Sequence, residues 1–208
     1  MIRLAAGIAL LEQSANYALA GLSGITDADL DRPTPCTRWN LWVLLLHVAD
    51  SAEALTDLVT TGTLSLTTPP RPDADPVIAA RDQTRHMLDA LSSANHRDTL
   101  CRIADQALWA STAAYVGAIE FAAHGWDIAT ACGAERQIPA GLAADLLELS
   151  PSLITDHTRH PEFGRPVYVP PTANPSDRLV GFLGRVPNAP PVTTRVTNDH
   201  SAGSESEG

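Results

Sequence analysis

Lysine is absent from this chain. All fourteen basic residues are Arg, against 24 Asp and Glu, and the formal net charge is −10. That balance argues against nucleic acid as a partner, since binding phosphates needs a basic face. It equally disfavours an anionic membrane surface. No apolar run reaches the roughly 18 residues that would span a bilayer. Cysteine is scarce too. Cys36, Cys101 and Cys132 are odd in number, widely spaced and form no C-x-x-C, which excludes a disulfide framework or a thiolate zinc site. A reduced, cytoplasmic setting fits that usage. Aromatic residues make up only 5% of the chain, and Ala and Leu dominate its 44% hydrophobic content, which leans towards helix. The 208 residues suffice for one substantial core and a small appendage.

The start, "MIRLAAGIALL" with "ALAG" at 18–21, has the look of an export signal. Glu12, Gln13, Ser14 and Asn16 interrupt it, however, while Leu4, Ile8, Leu11, Ala15, Ala18 and Leu22 recur at helical spacing. It reads as a first amphipathic helix, about 3–22. A Gly- and Pro-bearing connector follows, with one short turn after Thr26. Thr37 is a candidate cap for a second helix, about 38–60. Asp75 then Pro76 reads as N-cap and first helical position of a third, reaching about 93. Residues 95–112, "NHRDTLCRIADQALWAST", read as an irregular or partly extended crossing. A fourth helix, about 112–132, stops at Gly133. Pro139 opens a fifth, about 140–149. Beyond Pro151 the chain is Pro-rich, with a turn or two of helix in "DRLVGFLGR", 177–185. The predicted organisation is all-α: a four-helix bundle plus fifth helix over 1–150, a short, mostly irregular C-terminal arm over 151–187, and a tail over 188–208 too polar to fold.

Two apolar helical stretches carry unexpected polar groups. Residues 113–123 are apolar or Gly except Glu120 and Tyr115, and His124 follows one turn after Glu120. Four residues advance about 400° and about 6 Å, so both side chains leave one face. In "LWVLLLHVA", 41–49, His47 is the lone polar group. A carboxylate buried among apolar neighbours costs several kcal/mol unless paired or bound to a metal. A single core histidine, or an E-x-x-x-H pair on a helix surface, would account for each piece alone. A bundle offers a joint answer: His47, Glu120 and His124 meet across the core. Two imidazoles and one carboxylate form an open ligand set for a divalent ion, with a position left for water or substrate.

These residues carry a resemblance. "PTPCTRWNLWVLLLHVA" resembles the P-T-P-C-x-x-W-x(7)-H signature of the mycothiol-dependent maleylpyruvate isomerase N-terminal family, within the wider DinB/YfiT-like group of metalloenzymes. "AIEFAAHGWDIATACG" is similar to its second signature, E-x-x-x-H-G-W-D-L-A-x-A-x-G, and residues 163–187 resemble the ending of a subgroup of small actinobacterial metal-binding proteins. The resemblance spans about 5–187 and implies a DinB-like bundle. It implies His47, Glu120 and His124 as metal ligands, usually of zinc. It points to Asp127 as a candidate catalytic residue, orienting a ligand or substrate from behind the metal. Trp39, Trp126 and Cys36 also fall in the signatures, and packing accounts for them. The full isomerases carry a second, C-terminal domain, where this sequence offers the short arm.

The expected function is that of a divalent-metal enzyme, with zinc the expected ion, that activates a low-molecular-weight thiol such as mycothiol for transfer to, or isomerisation of, a small electrophile. The alternatives are thiol-independent metal-assisted chemistry in a biosynthetic pathway, or a non-enzymatic metal-binding protein. A monomer or homodimer is expected. Arg81, Arg85 and His86 are candidates for the bundle mouth, and His157 or His160 for a fourth ligand.

Overall fold

The computed structural model describes residues 3–37, 39–64, 74–94, 97–103, 106–159 and 163–187. The predicted unstructured tail lies outside them. Four long helices form the bundle: α1 (Leu4–Gly21), α2 (Leu41–Thr61), α3 (Pro76–Ser93) and α4 (Ala110–Ala131). The class is all-α, as the sequence implies. α1 lies along α4 and α2 along α3, and α4 also touches α2.

Local chemistry bounds α3. The Asp75 carboxylate accepts from the amides of Val77 and Ile78, with Pro76 in the first turn of α3. Asn40, not Thr37, caps α2, its side-chain oxygen accepting from the Val43 amide at 3.1 Å. The reason is tertiary. The segment before α2 doubles back, pairing Pro33 with Asn40, so that the Arg32 and Leu30 carbonyls accept from the amides of Leu41 and Trp42. A helix begun at 38 would lose those bonds. α2 ends at Gly62, in the left-handed region at φ 73°.

The described part of the crossing is partly extended, one of the two readings the sequence allows, and it ends at Ala110, where α4 begins. Strands β2 (Leu100–Ile103) and β3 (Gln106–Trp109) form an antiparallel hairpin, and the two-residue β1 (Thr63–Leu64) pairs parallel with β2. Asp98, just before β2, satisfies the first turn of α4: it accepts from the Ser111 amide at 3.0 Å and from its hydroxyl at 3.1 Å.

The core is mainly aliphatic. Leu11, Leu44, Leu45, Ile119 and Phe121 are essentially sealed, and so are Ala15, Ala49 and Ala118. The small side chains let the helices approach closely. At Gly125 the approach is closest: a Cβ there would meet the Tyr17 ring at 2.8 Å and the α1 backbone at 3.0 Å. α4 is buried on nearly every side from Ser111 to Ala129.

α5 (Ala140–Leu153) runs past its expected end, straight through Pro151. Proline removes one amide from the last turn, yet the Ile154 amide still reaches the Ser150 carbonyl at 2.8 Å. The arm returns with α6 (Pro175–Phe182), capped by Asn174, which packs on α5.

Candidate metal centre

α2 presents His47 and, one turn on, Ser51. α4 presents Glu120 and His124. The facing helices bring the three expected residues together. His47 Nε2 lies 2.9 Å from Glu120 Oε1, and the Ser51 hydroxyl donates to the same oxygen at 2.5 Å. The His47 and His124 rings meet edge to face, centroids 5.1 Å apart. One donor atom from each of His47, Glu120 and His124 lies within 4.8 Å of the others. The His47 and Glu120 side chains keep 30% and 28% exposure. They therefore border open space rather than sealed core. That space is a cavity of about 420 Å³, with a polar end at these residues and an apolar end at Leu55, Leu108, Val116 and Gly117.

Burial by itself would raise the Glu120 pKa. The hydrogen bond and charge of His47, the charge of His124 and the Ser51 hydrogen bond outweigh it, and the carboxyl falls from the ordinary 4.5 to about 2. The group is an anion, fit to receive a cation.

Asp127 occupies a different place. It has no exposure and does not border the cavity; it sits behind His124. His124 Nδ1 lies 3.1 Å from Asp127 Oδ2, while Arg185 spans the same carboxylate with Nε at 3.2 Å and Nη2 at 2.8 Å. Burial again works against the charge, but the Arg185 guanidinium and the His124 ring hold the Asp127 pKa below its ordinary value. An ionised Asp127 makes Nδ1 of His124 the protonated nitrogen, which leaves the Nε2 lone pair for coordination. Asp127 thus meets the cavity only through the His124 ring.

Sequence reasoning missed three neighbours. Ser51 reads as an ordinary helix residue, and only its i+4 offset from His47 hints at a shared face. Arg185 is a lone cation in "GFLGRV", a signal of the same kind as His47 in its apolar run. It is 5% exposed and arrives with the arm, as does Phe163, which closes part of the cavity wall. Trp39 and Cys36 border the cavity as well, the Trp39 ring 4.4 Å from that of His47 and 5.9 Å from that of His124. Trp126 is buried in the core. Arg81, Arg85 and His86 on α3 are not among the described residues bordering this cavity, and His157 is exposed, away from the ligand group. His160 lies outside the described residues.

Among the described residues no helix is long and apolar enough to cross a membrane. Residues 11–129 match the model of the mycothiol maleylpyruvate isomerase N-terminal domain. Two proteins of Mycobacterium tuberculosis, one from strain H37Rv and one from strain CDC 1551, both described as uncharacterized, are each 26% identical over 189 residues. That alignment covers 85% of this chain and 96% of each relative. No solved structure is significantly similar to the chain.

Proposed function

Since this chain belongs to the mycothiol maleylpyruvate isomerase N-terminal domain family, we propose that it is a divalent-metal-dependent enzyme that activates a low-molecular-weight thiol, mycothiol or a close analogue, for addition to a small electrophile. The observation that carries this reading is the convergence of His47, Glu120 and His124 at the polar end of the cavity. The donor set fits the ion. Two imidazoles and an anionic carboxylate suit zinc and its neighbours, and three protein donors leave a position for an exogenous ligand.

A divalent cation held there supplies a Lewis-acid position that favours thiolate over thiol at neutral pH. The chain's own residues do the rest. His47, Glu120 and His124 would hold the ion at one end of the cavity. Asp127, braced by Arg185, holds the His124 ring in the coordinating tautomer. Ser51 fixes the Glu120 rotamer. Trp39, Phe163 and Leu108 wall the cavity against water and give the electrophile an apolar bed beside the thiol. Transfer of the thiol, or its addition, bond rotation and elimination, are the two outcomes such a bed supports. A cytoplasmic location, where such thiols are reduced, completes the reading.

Two measurements test it. Metal analysis of the purified chain beside His47→Ala should show about one equivalent of divalent metal in the first and loss in the second. Unchanged content in the variant removes His47 from the ligand set. Thiol consumption with a chloro-nitroaromatic electrophile should depend on metal. No consumption above background with a panel of thiols that includes mycothiol overturns the thiol reading and leaves the metal site standing.

A further inference from the structure

A second cavity, of about 330 Å³, lies on the other side of Leu55, which borders both. Its walls are Ile8 and Leu11 of α1, Leu55 and Leu58 of α2, Leu91 of α3 and Ala114 of α4. All are aliphatic. None belongs to the candidate ligand set or to its supporting residues. Where the walls meet the hairpin the lining changes character: Arg97 and Thr99 border the cavity, and both are exposed. Arg97 is the one charged side chain among the described residues of this lining, and no described carboxylate pairs with it.

Volume, lining and charge together specify an occupant. Small-molecule sites are concave, of a few hundred Å³, mostly apolar and fitted with a few polar groups that fix orientation. An apolar cavity of about 150 Å³ takes one benzene, so this volume suits roughly twelve non-hydrogen atoms. A guanidinium at the rim presents paired donors that match a carboxylate. We propose that this cavity is a binding site for an apolar carboxylate, a straight acyl chain of about eight to ten carbons, with its chain among the leucines and its carboxylate on Arg97. The site is separate from the metal centre and needs no metal. Because Leu55 is a shared wall, its occupant abuts the apolar end of the other cavity.

Calorimetric titration of the full, chelator-treated chain with octanoate, and with 1-octanol as its uncharged counterpart, tests the assignment. Octanoate should bind with 1:1 stoichiometry. Arg97→Ala, at an exposed position, should weaken octanoate by about 10-fold or more, the loss of one charge-assisted contact, and leave 1-octanol unchanged. Ala110→Phe, which fills the cavity from a half-buried position at the start of α4, should abolish both. His47→Ala should change neither. No octanoate binding at millimolar concentration overturns the proposal. So does equal affinity in the Arg97 variant, or binding lost with His47→Ala but kept with Ala110→Phe, which would move the ligand to the metal cavity.

Discussion

Arg185→Met removes the cation that faces Asp127 and keeps most of its apolar stem. The consequence follows from Asp127 having no exposure and only two described partners, Arg185 and His124. Once the guanidinium is gone, one route open to the carboxylate is to take a proton. Protonating a group of ordinary pKa 3.8 at pH 7 costs about 4 kcal/mol, at 1.36 kcal/mol per unit. Breaking a buried ion pair from one side typically costs about 3–5 kcal/mol, so the two routes agree. For a domain of this size that lowers the melting temperature by about 6–20 °C. The pH dependence separates this cause from lost packing. Wild-type Asp127 has a depressed folded pKa, so its contribution is complete above the ordinary carboxylate range and is lost as pH falls through the folded value. In the variant the folded pKa is raised. Its deficit therefore grows by about 1.4 kcal/mol per pH unit from pH 5 to pH 7. Urea melts of chelator-treated protein at pH 5, 6 and 7 read this directly. Loss of the guanidinium also loosens the Asp127 carboxylate that orients the His124 ring, which shows as weaker zinc binding by competitive titration. A variant within 1 kcal/mol of wild type at every pH, with zinc affinity unchanged, refutes the reasoning.

Asp127→Asn keeps shape and loses charge; zinc affinity should fall about 10- to 100-fold by competition with a chelating dye, and an unchanged value would detach Asp127 from the metal centre. Ser51→Ala deletes one hydrogen bond to Glu120, which predicts about 1 kcal/mol of stability lost in denaturant melts and a smaller loss of metal affinity than His47→Ala gives. In metal-free protein the depressed Glu120 pKa contributes stability above pH 4.5 that disappears as pH falls towards about 2. Glu120→Gln should flatten that part of an acid titration followed by Trp fluorescence, and superimposable curves would refute the pairing. Gly125→Ala drives a methyl into the Tyr17 ring and the α1 backbone and should cost about 1–3 kcal/mol in thermal melts, whereas Gly117→Ala meets the side-chain tip of Leu55 at 2.9 Å, beside two cavities, and should cost less.

The boundaries legible in the sequence are those set by neighbours in the chain. Asp75 and Pro76 place the start of α3 correctly because the cap, its acceptor and its donors lie within four residues. The same logic fails at Thr37, since the amides opening α2 are satisfied by Leu30 and Arg32, at no fixed offset from the helix. Pro151 misleads in the other direction: it removes a single amide near the end of α5, too little to stop a helix already packed on Leu142 and Leu146. The crossing at 95–112 is ambiguous in sequence because eight strand residues, four on each side, give a short alternation that also suits a loop. The meeting of His47, Glu120 and His124 was readable for a different reason. Each is a polar side chain in a helical run that is otherwise apolar, and burial leaves such groups few places to go except towards one another.

Asp127 shows where that reasoning stops short. Its offset of three from His124 on one helix announces contact with that ring, and the ring alone is a weak counterion for a carboxylate with no exposure. Some cation had to reach it, and residues 11–129, the extent of the family match, contribute no described side-chain partner besides His124. The cation comes 58 residues later, from Arg185. The arm therefore does more than cover the bundle. Its Arg185 fixes the charge state behind one candidate ligand, and its Phe163 shapes the space in front of all three. Donor identity is written in the two helices, whereas donor orientation and cavity shape depend on a segment beyond the matched domain.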